Sequence, residues 1–208
     1  MKNKFNMGGR TMFETIAAMA IISMIAASIY KLANSVTDRY KMSRIQTQIY
    51  TLQKTINDRF MAEGNYDTVN SLRHENKHMG DVLIDENLID GELVKAKHVF
   101  DGIVNMGGFK ISGDGSGEAS RYFIMFGPGN TGKNVWTEVC MSLGDMNWLH
   151  EGGSSLVSQC FGEKCNIGKG VGLIEKIPDG CKCTQKIPAD ETILENCDDK
   201  AYILWIFE

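Results

Sequence analysis

Six cysteines are the residues with the clearest capacity for chemistry, and all of them lie between positions 140 and 197. An even number of clustered cysteines is typical of a disulfide framework formed in an oxidising compartment. A zinc site is the alternative, but the C-x4-C and C-x-C spacings match no common zinc pattern, and the nearest histidine is His150. The sequence therefore predicts disulfides among Cys140, Cys160, Cys165, Cys181, Cys183 and Cys197, with the pairing open.

Glu14 is the second residue of chemical interest, because it stands at the head of an apolar run. Residues 15–30 are almost wholly apolar or small, and with residues 11–13 the segment approaches the ~20 residues that a membrane-spanning helix needs. A carboxylate costs roughly 2.5–3.5 kcal/mol near the centre of a bilayer, so an acid in such a segment indicates a function and a partner. A secretory signal peptide cleaved near Ala26–Ser28 is the alternative, but Glu14 is atypical of its apolar region.

Other motifs that resemble ligand sites are incomplete. Gly127–Asn134 is similar to a phosphate-binding loop, but Asn134 replaces the Ser or Thr that binds magnesium, so a turn with a helix cap is expected. The oxygen-rich loops Asp114–Glu118 and Asp198–Asp199 each offer too few ligands for calcium. The histidines lack metal-ligand spacing and are interpreted as surface residues: His74, His78, His98 and His150. We therefore expect no enzyme activity, no cofactor and no metal site.

Charge is distributed unevenly along the 208 residues. Residues 1–62 contain nine Lys and Arg against three Asp and Glu, whereas residues 63–208 contain thirteen against twenty-three. The N-terminal part is therefore basic and the remainder acidic. An acidic globular part argues against general nucleic-acid binding, which requires a basic surface.

A single long helix must position Glu14 and its apolar run. No glycine or proline occurs between Arg10 and Glu63, and Gly64-Asn65 forms a helix stop. Such a helix has about 53 residues and a length of about 80 Å, too long for one domain of this size to bury. We therefore expect residues 10–31 to lie outside the domain in an apolar environment, such as a membrane. Residues 32–63 are expected to form an amphipathic half with its apolar stripe at Leu32, Val36, Tyr40, Ile45, Ile49, Leu52, Ile56 and Phe60.

Residues 64–208 form the predicted globular head, with a Cys-rich region at 140–197. Gly107-Gly108 is interpreted as a turn between two strands, and Ala201–Phe207, which shows little polar alternation, as a central strand. The remaining predicted elements are helices at Met79–Ile89 and Val135–Leu143 and strands at Gly102–Asn105, Phe109–Ser112 and Arg121–Phe126.

The segment from Gly9 to Glu14, followed by the apolar run, resembles the prepilin signature of type IV pilins and type II secretion pseudopilins. The resemblance implies that a prepilin peptidase removes the leader 1–9 by cutting between Gly9 and Arg10, and that the new amine of Arg10 is methylated. Glu14 is then the fifth residue of the mature chain and guides assembly by pairing with the N-terminal amine of a neighbouring subunit. Arg10 departs from the family pattern, which has Phe, Met or Leu there.

The order of elements in the head is similar to that of type IVb-like pilins. The resemblance implies an α+β pilin fold, with the long N-terminal helix packed on a small antiparallel sheet and a disulfide-stapled C-terminal region. The pairing of the cysteines is undetermined, and we expect a bond between Cys140 and Cys197, which would tie the helix at 135–143 to the base of the last strand. The other four cysteines then close the Gly-rich excursion at 150–190, which is otherwise poor in core residues.

These resemblances predict a structural subunit, major or minor, of a type IV pilus-like filament. The precursor is a single-pass inner-membrane protein with a cytoplasmic N-terminus and a periplasmic head, and the assembled filament is extracellular or periplasmic. The expected partners are the prepilin peptidase and further copies of the chain or other pilins, with no nucleic acid. A type II secretion pseudopilin and a single-pass anchored binding protein are the alternatives.

Overall fold

The structure is a computed structural model that describes residues 12–70, 74, 76–90, 98–110, 119–129, 135–144, 155–168, 170–186 and 189–208. The predicted leader, the bond between Gly9 and Arg10, the loop 114–118, Asn134 and His150 lie outside the described residues. The chain divides into two compact units, Met1–Tyr40 and Lys41–Glu208.

Helix α1 runs from Met12 to Phe60 without interruption, as its lack of glycine and proline predicts. A short 3-10 helix at Met61–Glu63 follows, and Gly64 ends it in the left-handed conformation with φ 64°. The Gly64 amide donates to the Phe60 carbonyl at 3.2 Å. A glycine at this position closes the helix without a Cβ penalty, so the predicted helix stop is confirmed.

The second unit contains one six-stranded sheet in the order β4-β1-β2-β6-β3-β5. Its strands are β1 Val104–Phe109, β2 Arg121–Phe126, β3 Leu156–Gly162, β4 Leu173–Ile174, β5 Lys182–Thr184 and β6 Tyr202–Phe207, and its helices are α2 Met79–Asp85, α3 Val135–Gly144 and α4 Glu191–Leu194. The predicted α+β class and the central place of the last strand are confirmed. The sheet is mixed rather than wholly antiparallel, because β4 pairs parallel to β1.

One face of this sheet packs against the second half of α1. Five α1 side chains at steps of three and four residues are fully buried there, namely Ile45, Ile49, Leu52, Ile56 and Phe60. Tyr122, Phe126 and Trp205 belong to the same core cluster. Full burial of each such side chain stabilises the fold by roughly 1.5–3 kcal/mol, so this stripe contributes substantially to the stability of the head.

The opposite face of the sheet is also buried, which explains why β6 shows little polar alternation. Phe123, Leu204 and Ile206 form a second cluster with Cys160 and Ile174. Residues 163–168 and 170–181, here named the strap, pack on this face and bury Cys165 and Ile174 in the second cluster. They leave the sheet after β3, pair with the edge of β1 through β4, and lead into β5 at the other edge. Apart from its cysteines, the excursion at 150–190 contributes few buried apolar side chains among its described residues, namely Phe161, Ile174 and Ala189, as expected.

The Gly107-Gly108 pair lies inside β1 and is not a turn, so the two predicted strands around it are one. A Cβ on Gly107 would stand 2.2 Å from the Gly172 carbonyl oxygen, and a Cβ on Gly108 would stand 2.7 Å from that of Tyr66. The Gly108 amide donates to the Gly172 carbonyl at 2.9 Å. These glycines are needed for close approach of neighbouring backbones, which the sequence pattern does not distinguish from a turn.

Helix α2 ends at Asp85, four residues before the predicted end at Ile89. Asn87 adopts the left-handed conformation with φ 57°, which terminates the helix. Asparagine tolerates this conformation better than most residues.

Candidate functional site

The first unit presents an apolar helix surface. Every large apolar side chain from Ile16 to Tyr40 is more than half exposed, between 54% for Ile25 and 71% for Tyr30. Among the described residues, one helix is long and apolar enough to cross a membrane by length and composition, and this apolar part of α1 supplies it. A signal sequence meets the same criterion. Exposed apolar surface on this scale indicates a contact with lipid or with protein.

Glu14 lies in the first turn of α1 and is exposed. A carboxylate in the first turn is stabilised by the helix dipole, because the unpaired amides there carry partial positive charge. Of the residues predicted for processing and assembly, Glu14 is therefore placed on the helix, whereas Gly9 and Arg10 lie outside the described residues.

The predicted apolar stripe of residues 32–60 has two different environments. Leu32, Val36 and Tyr40 are exposed, whereas Ile45 and the residues that follow it in the stripe are completely buried. The step from Tyr40 to Ile45 is five residues, so the three- and four-residue spacing breaks at that point. Only the second set is used by the head core among the described residues.

All six cysteines form disulfides. The bond between Cys140 and Cys197 is the expected one and joins α3 to the segment before β6, with 5.6 Å between the Cα atoms. Cys160 and Cys183 lie opposite each other on β3 and β5 and are bonded. Cys165 and Cys181 are bonded across the two ends of the strap. The last two bonds close the Gly-rich excursion, as expected.

Three of these cysteines have sulfur atoms that lie as close together as the ligands of a zinc site. The sulfur atoms of Cys160, Cys181 and Cys183 lie within 4.8 Å of one another. Each of them belongs to a disulfide, however. Zinc is bound by thiolates, so these bonded sulfurs are not a zinc site.

A polar clamp at the end of α1 was not predicted from the sequence. Arg59 binds both carboxylate oxygens of Glu86, at 2.5 and 2.7 Å, and also binds Glu63 at 2.6 Å. The hydrogen bond from Arg59 lowers the pKa of Glu86. Burial raises the pKa of Glu63, but hydrogen bonds from His74 and Arg59 outweigh it, so the net shift is downward. The clamp joins the end of α1 to the residue that follows α2.

Two histidines differ from the predicted surface role. His78 is exposed, but His74 is only 7% exposed and His98 only 2%. His74 contacts Glu63 through Nε2 at 2.9 Å. His98 lies between aromatic rings in the core, and burial lowers its pKa to about 4. Sequence spacing gave no signal for either, because their partners are remote in the chain or are backbone groups.

No protein-family model matches this chain, and no curated protein matches it significantly. The fold and the site together define an α+β protein with a long apolar N-terminal helix and a disulfide-stapled head.

Proposed function

We propose that the chain is a structural subunit of a type IV pilus-like filament, made as a membrane-anchored precursor. The observation that carries the proposal is the exposed apolar surface of α1 in the first unit. Water is a poor environment for a surface of this kind. Lipid covers it in the precursor, and the helices of neighbouring subunits cover it in the filament.

The polar groups of this helix half support an apolar environment. The hydroxyls of Ser23, Ser28 and Thr37 donate to backbone carbonyls four residues earlier, at 2.8, 2.8 and 2.9 Å. A hydroxyl bonded within its own helix needs no water or external partner, which lowers the cost of placing it in lipid or in a filament core.

The extent of the apolar surface favours a filament over an anchor alone. The exposed apolar side chains extend from Ile16 to Tyr40, which is about 36 Å of helix, whereas the hydrocarbon core of a bilayer is about 30 Å thick. Leu32, Val36 and Tyr40 follow the charged Lys31, which marks the edge of the apolar run. These three side chains then lie beyond the lipid, where a protein surface is the natural cover.

Glu14 provides the means of registration. In a filament core its carboxylate is stabilised by a positive partner, for which the N-terminal amine of a neighbouring subunit is suited. Removing one member of such a pair leaves an uncompensated charge and costs about 3–5 kcal/mol when the pair is buried. The pair therefore stabilises one axial position of the incoming helix relative to all others.

Photo-crosslinking at Tyr40 tests this proposal. We expect a benzoylphenylalanine at position 40, which replaces one aromatic side chain with another, to give a ladder of chain multiples in native membranes or filaments. Glu14→Gln in the same background should reduce the ladder at least ~10-fold while the chain stays in the membrane fraction. Crosslinks to lipid alone, or a ladder that Glu14→Gln leaves unchanged, contradict filament assembly through this helix.

A further inference from the structure

The turn at residues 98–102, which precedes β1, is closed around the side chain of His98. The His98 amide donates to the Gly102 carbonyl at 3.1 Å, and the Asp101 amide donates to the His98 carbonyl at 2.8 Å. Asp101 has φ 61°, and a Cβ on Gly102 would stand 2.1 Å from His98 Nε2. The imidazole therefore fills the space that a larger residue at position 102 would occupy.

Both ring nitrogens of His98 are engaged, and their partners define one protonation state. Nε2 is 2.8 Å from the Gly127 carbonyl oxygen, which can only accept a hydrogen bond, so Nε2 carries the proton. Nδ1 accepts a hydrogen bond from the Phe100 amide at 3.1 Å and is therefore unprotonated. A second proton on Nδ1 would oppose the Phe100 N–H and remove that bond.

The aromatic faces around His98 connect the turn to the sheet and to α3. The imidazole is stacked on Trp136 of α3 at 5.0 Å and on Phe126 of β2 at 5.4 Å between ring centroids. Trp136 is fixed in turn by its indole N–H, which donates to the Ala201 carbonyl at 2.7 Å. His98 is thus the point at which the turn, the end of β2 and α3 meet.

The same turn also contacts α1. The Nζ atom of Lys41 lies 5.5 Å from the centre of the Phe100 ring. Phe100 itself is 2% exposed. Release of the turn would therefore loosen one of the contacts between the head and its own segment of α1.

We propose that His98 is an acid-sensitive latch: the neutral ring fastens the 98–102 turn to β2 and α3, and protonation of Nδ1 releases the turn. Desolvation of the buried ring disfavours its protonated form. The bond to the Gly127 carbonyl and the charge of Asp101, which lies on the turn itself, favour the protonated form, but desolvation outweighs both. From α1, Lys41 faces the turn over Phe100, and β2 and α3 contribute the uncharged rings of Phe126 and Trp136.

The sign of the pH effect follows from the folded and unfolded values. The pKa of His98 is about 4 in the folded head against 6.5 for an ordinary histidine. The neutral ring therefore contributes its full stabilisation above pH 6.5, and that contribution is lost progressively as the pH falls toward 4. Over this range the equilibrium constant for closing the turn falls by at most about 300-fold.

Histidine NMR on the full chain in detergent micelles tests the latch. We expect His98 to be the Nε2–H tautomer at pH 7 and to titrate near pH 4, with hydrogen exchange of the Phe100 amide accelerating at the same midpoint. The Leu204 amide in central strand β6 should stay protected, which separates local release from global unfolding. A His98 titration near pH 6.5, or Phe100 protection that does not follow the titration, overturns the proposal.

A variant pair gives a second test. His98→Gln retains an amide donor for the Gly127 carbonyl but has no titrating ring, so the acid-dependent exchange of the Phe100 amide should disappear. His78→Gln is the matched control at an exposed histidine and should leave that pH dependence unchanged. Equal pH dependence in wild type and His98→Gln contradicts the latch, and if His98→Gln does not fold, the wild-type titration still decides.

Discussion

Both parts of α1 carry large apolar side chains, but these side chains have opposite surroundings. In the first unit the large apolar side chains are more than half exposed, whereas in the second unit the stripe from Ile45 to Phe60 is fully buried by the sheet. The head therefore completes its core with its own residues. The first unit leaves its large apolar side chains exposed, and a surface of this kind indicates a contact with lipid or with protein. One helix thus combines a segment that is buried in a domain and a segment whose apolar side chains are exposed, for which we propose a cover of lipid or of neighbouring subunits.

The largest expected effect comes from a matched pair of leucines in the two parts. Leu52→Ala removes a fully buried side chain and should destabilise the head by about 2–5 kcal/mol, because it creates a cavity. Leu32→Ala removes one that is 66% exposed and should change head stability by less than about 0.5 kcal/mol. Guanidinium unfolding of the detergent-solubilised chain, followed by near-UV circular dichroism, measures both.

Equal losses of head stability in the two leucine variants would contradict the difference in burial between the two parts of the helix. In the proposed filament the two variants should differ in a second property. There, Leu32→Ala should weaken crosslinked ladders at Tyr40, while Leu52→Ala should act only through the fold of the head.

The disulfides should stabilise the head and leave the first unit untouched. Replacing Cys140 and Cys197 with alanine opens a loop with a sequence separation of 57 and should cost about 3–4 kcal/mol. Replacing Cys165 and Cys181, with a separation of 16, should cost about 1 kcal/mol less. Thermal unfolding of the two double variants checks the order. A reversed order contradicts the loop-entropy account of these two bonds.

Gly107→Ala should separate the strap from β1. The added methyl group would meet the Gly172 carbonyl, and this overpacking should cost about 1–3 kcal/mol. Gly170→Ala is a control on the strap: no atom lies within 4 Å of its added Cβ, although its φ of 68° brings about 1 kcal/mol of backbone cost. Urea unfolding and hydrogen exchange of the Gly108 amide measure the difference. If Gly107→Ala leaves hydrogen exchange at Gly108 unchanged, the close approach of the strap backbone does not require glycine at position 107.

The smallest effect is expected from the polar clamp. Arg59→Ala should cost about 1 kcal/mol or less, because the clamp is partly exposed and solvent screens it. Since Arg59 lowers the pKa of Glu86, the clamp contributes above the ordinary carboxylate value of 4.5 and loses strength as the pH falls below it. The variant should therefore show a shallower loss of stability between about pH 5 and pH 3.

Lys77→Ala disrupts a more exposed ion pair with Asp85 and is the matched control. It should leave both the stability and its pH slope nearly unchanged. A pH slope that persists in Arg59→Ala would assign the acid sensitivity to other groups, among them His98.

Local patterns were sufficient to predict the parts of the fold that depend on neighbouring residues. The uninterrupted helix, its stop at Gly64, the helix at α3 and the strands β2 and β6 follow from helix breakers, periodicity and apolar runs. The bond between Cys140 and Cys197 was expected because it would tie the predicted helix at 135–143 to the last strand, whereas cysteine spacing left the pairing open.

Features that depend on remote contacts were missed for a physical reason. Gly107 and Gly108 resemble a turn, and their role becomes visible only when the Gly172 carbonyl is placed beside them. The strap contains the short strand β4 and leads into the short strand β5, and the partner strands of both are remote in the sequence. His98 has the sequence context of a surface residue, and its burial depends on Phe126 and Trp136. The five-residue step from Tyr40 to Ile45 is visible in the sequence, so the change from exposed to buried side chains along the apolar stripe could have been predicted from the spacing.

The measurement that tests the central proposal most directly is intact mass with N-terminal sequencing of the chain from its native membrane or from sheared filaments. We predict a mature chain that begins at Arg10, without residues 1–9, and a mass that shows all six cysteines oxidised. A chain that still begins at Met1 would contradict processing by a prepilin peptidase. A chain that begins near Ser28 would identify an ordinary signal peptide, and its cleavage would remove Glu14 and most of the apolar run.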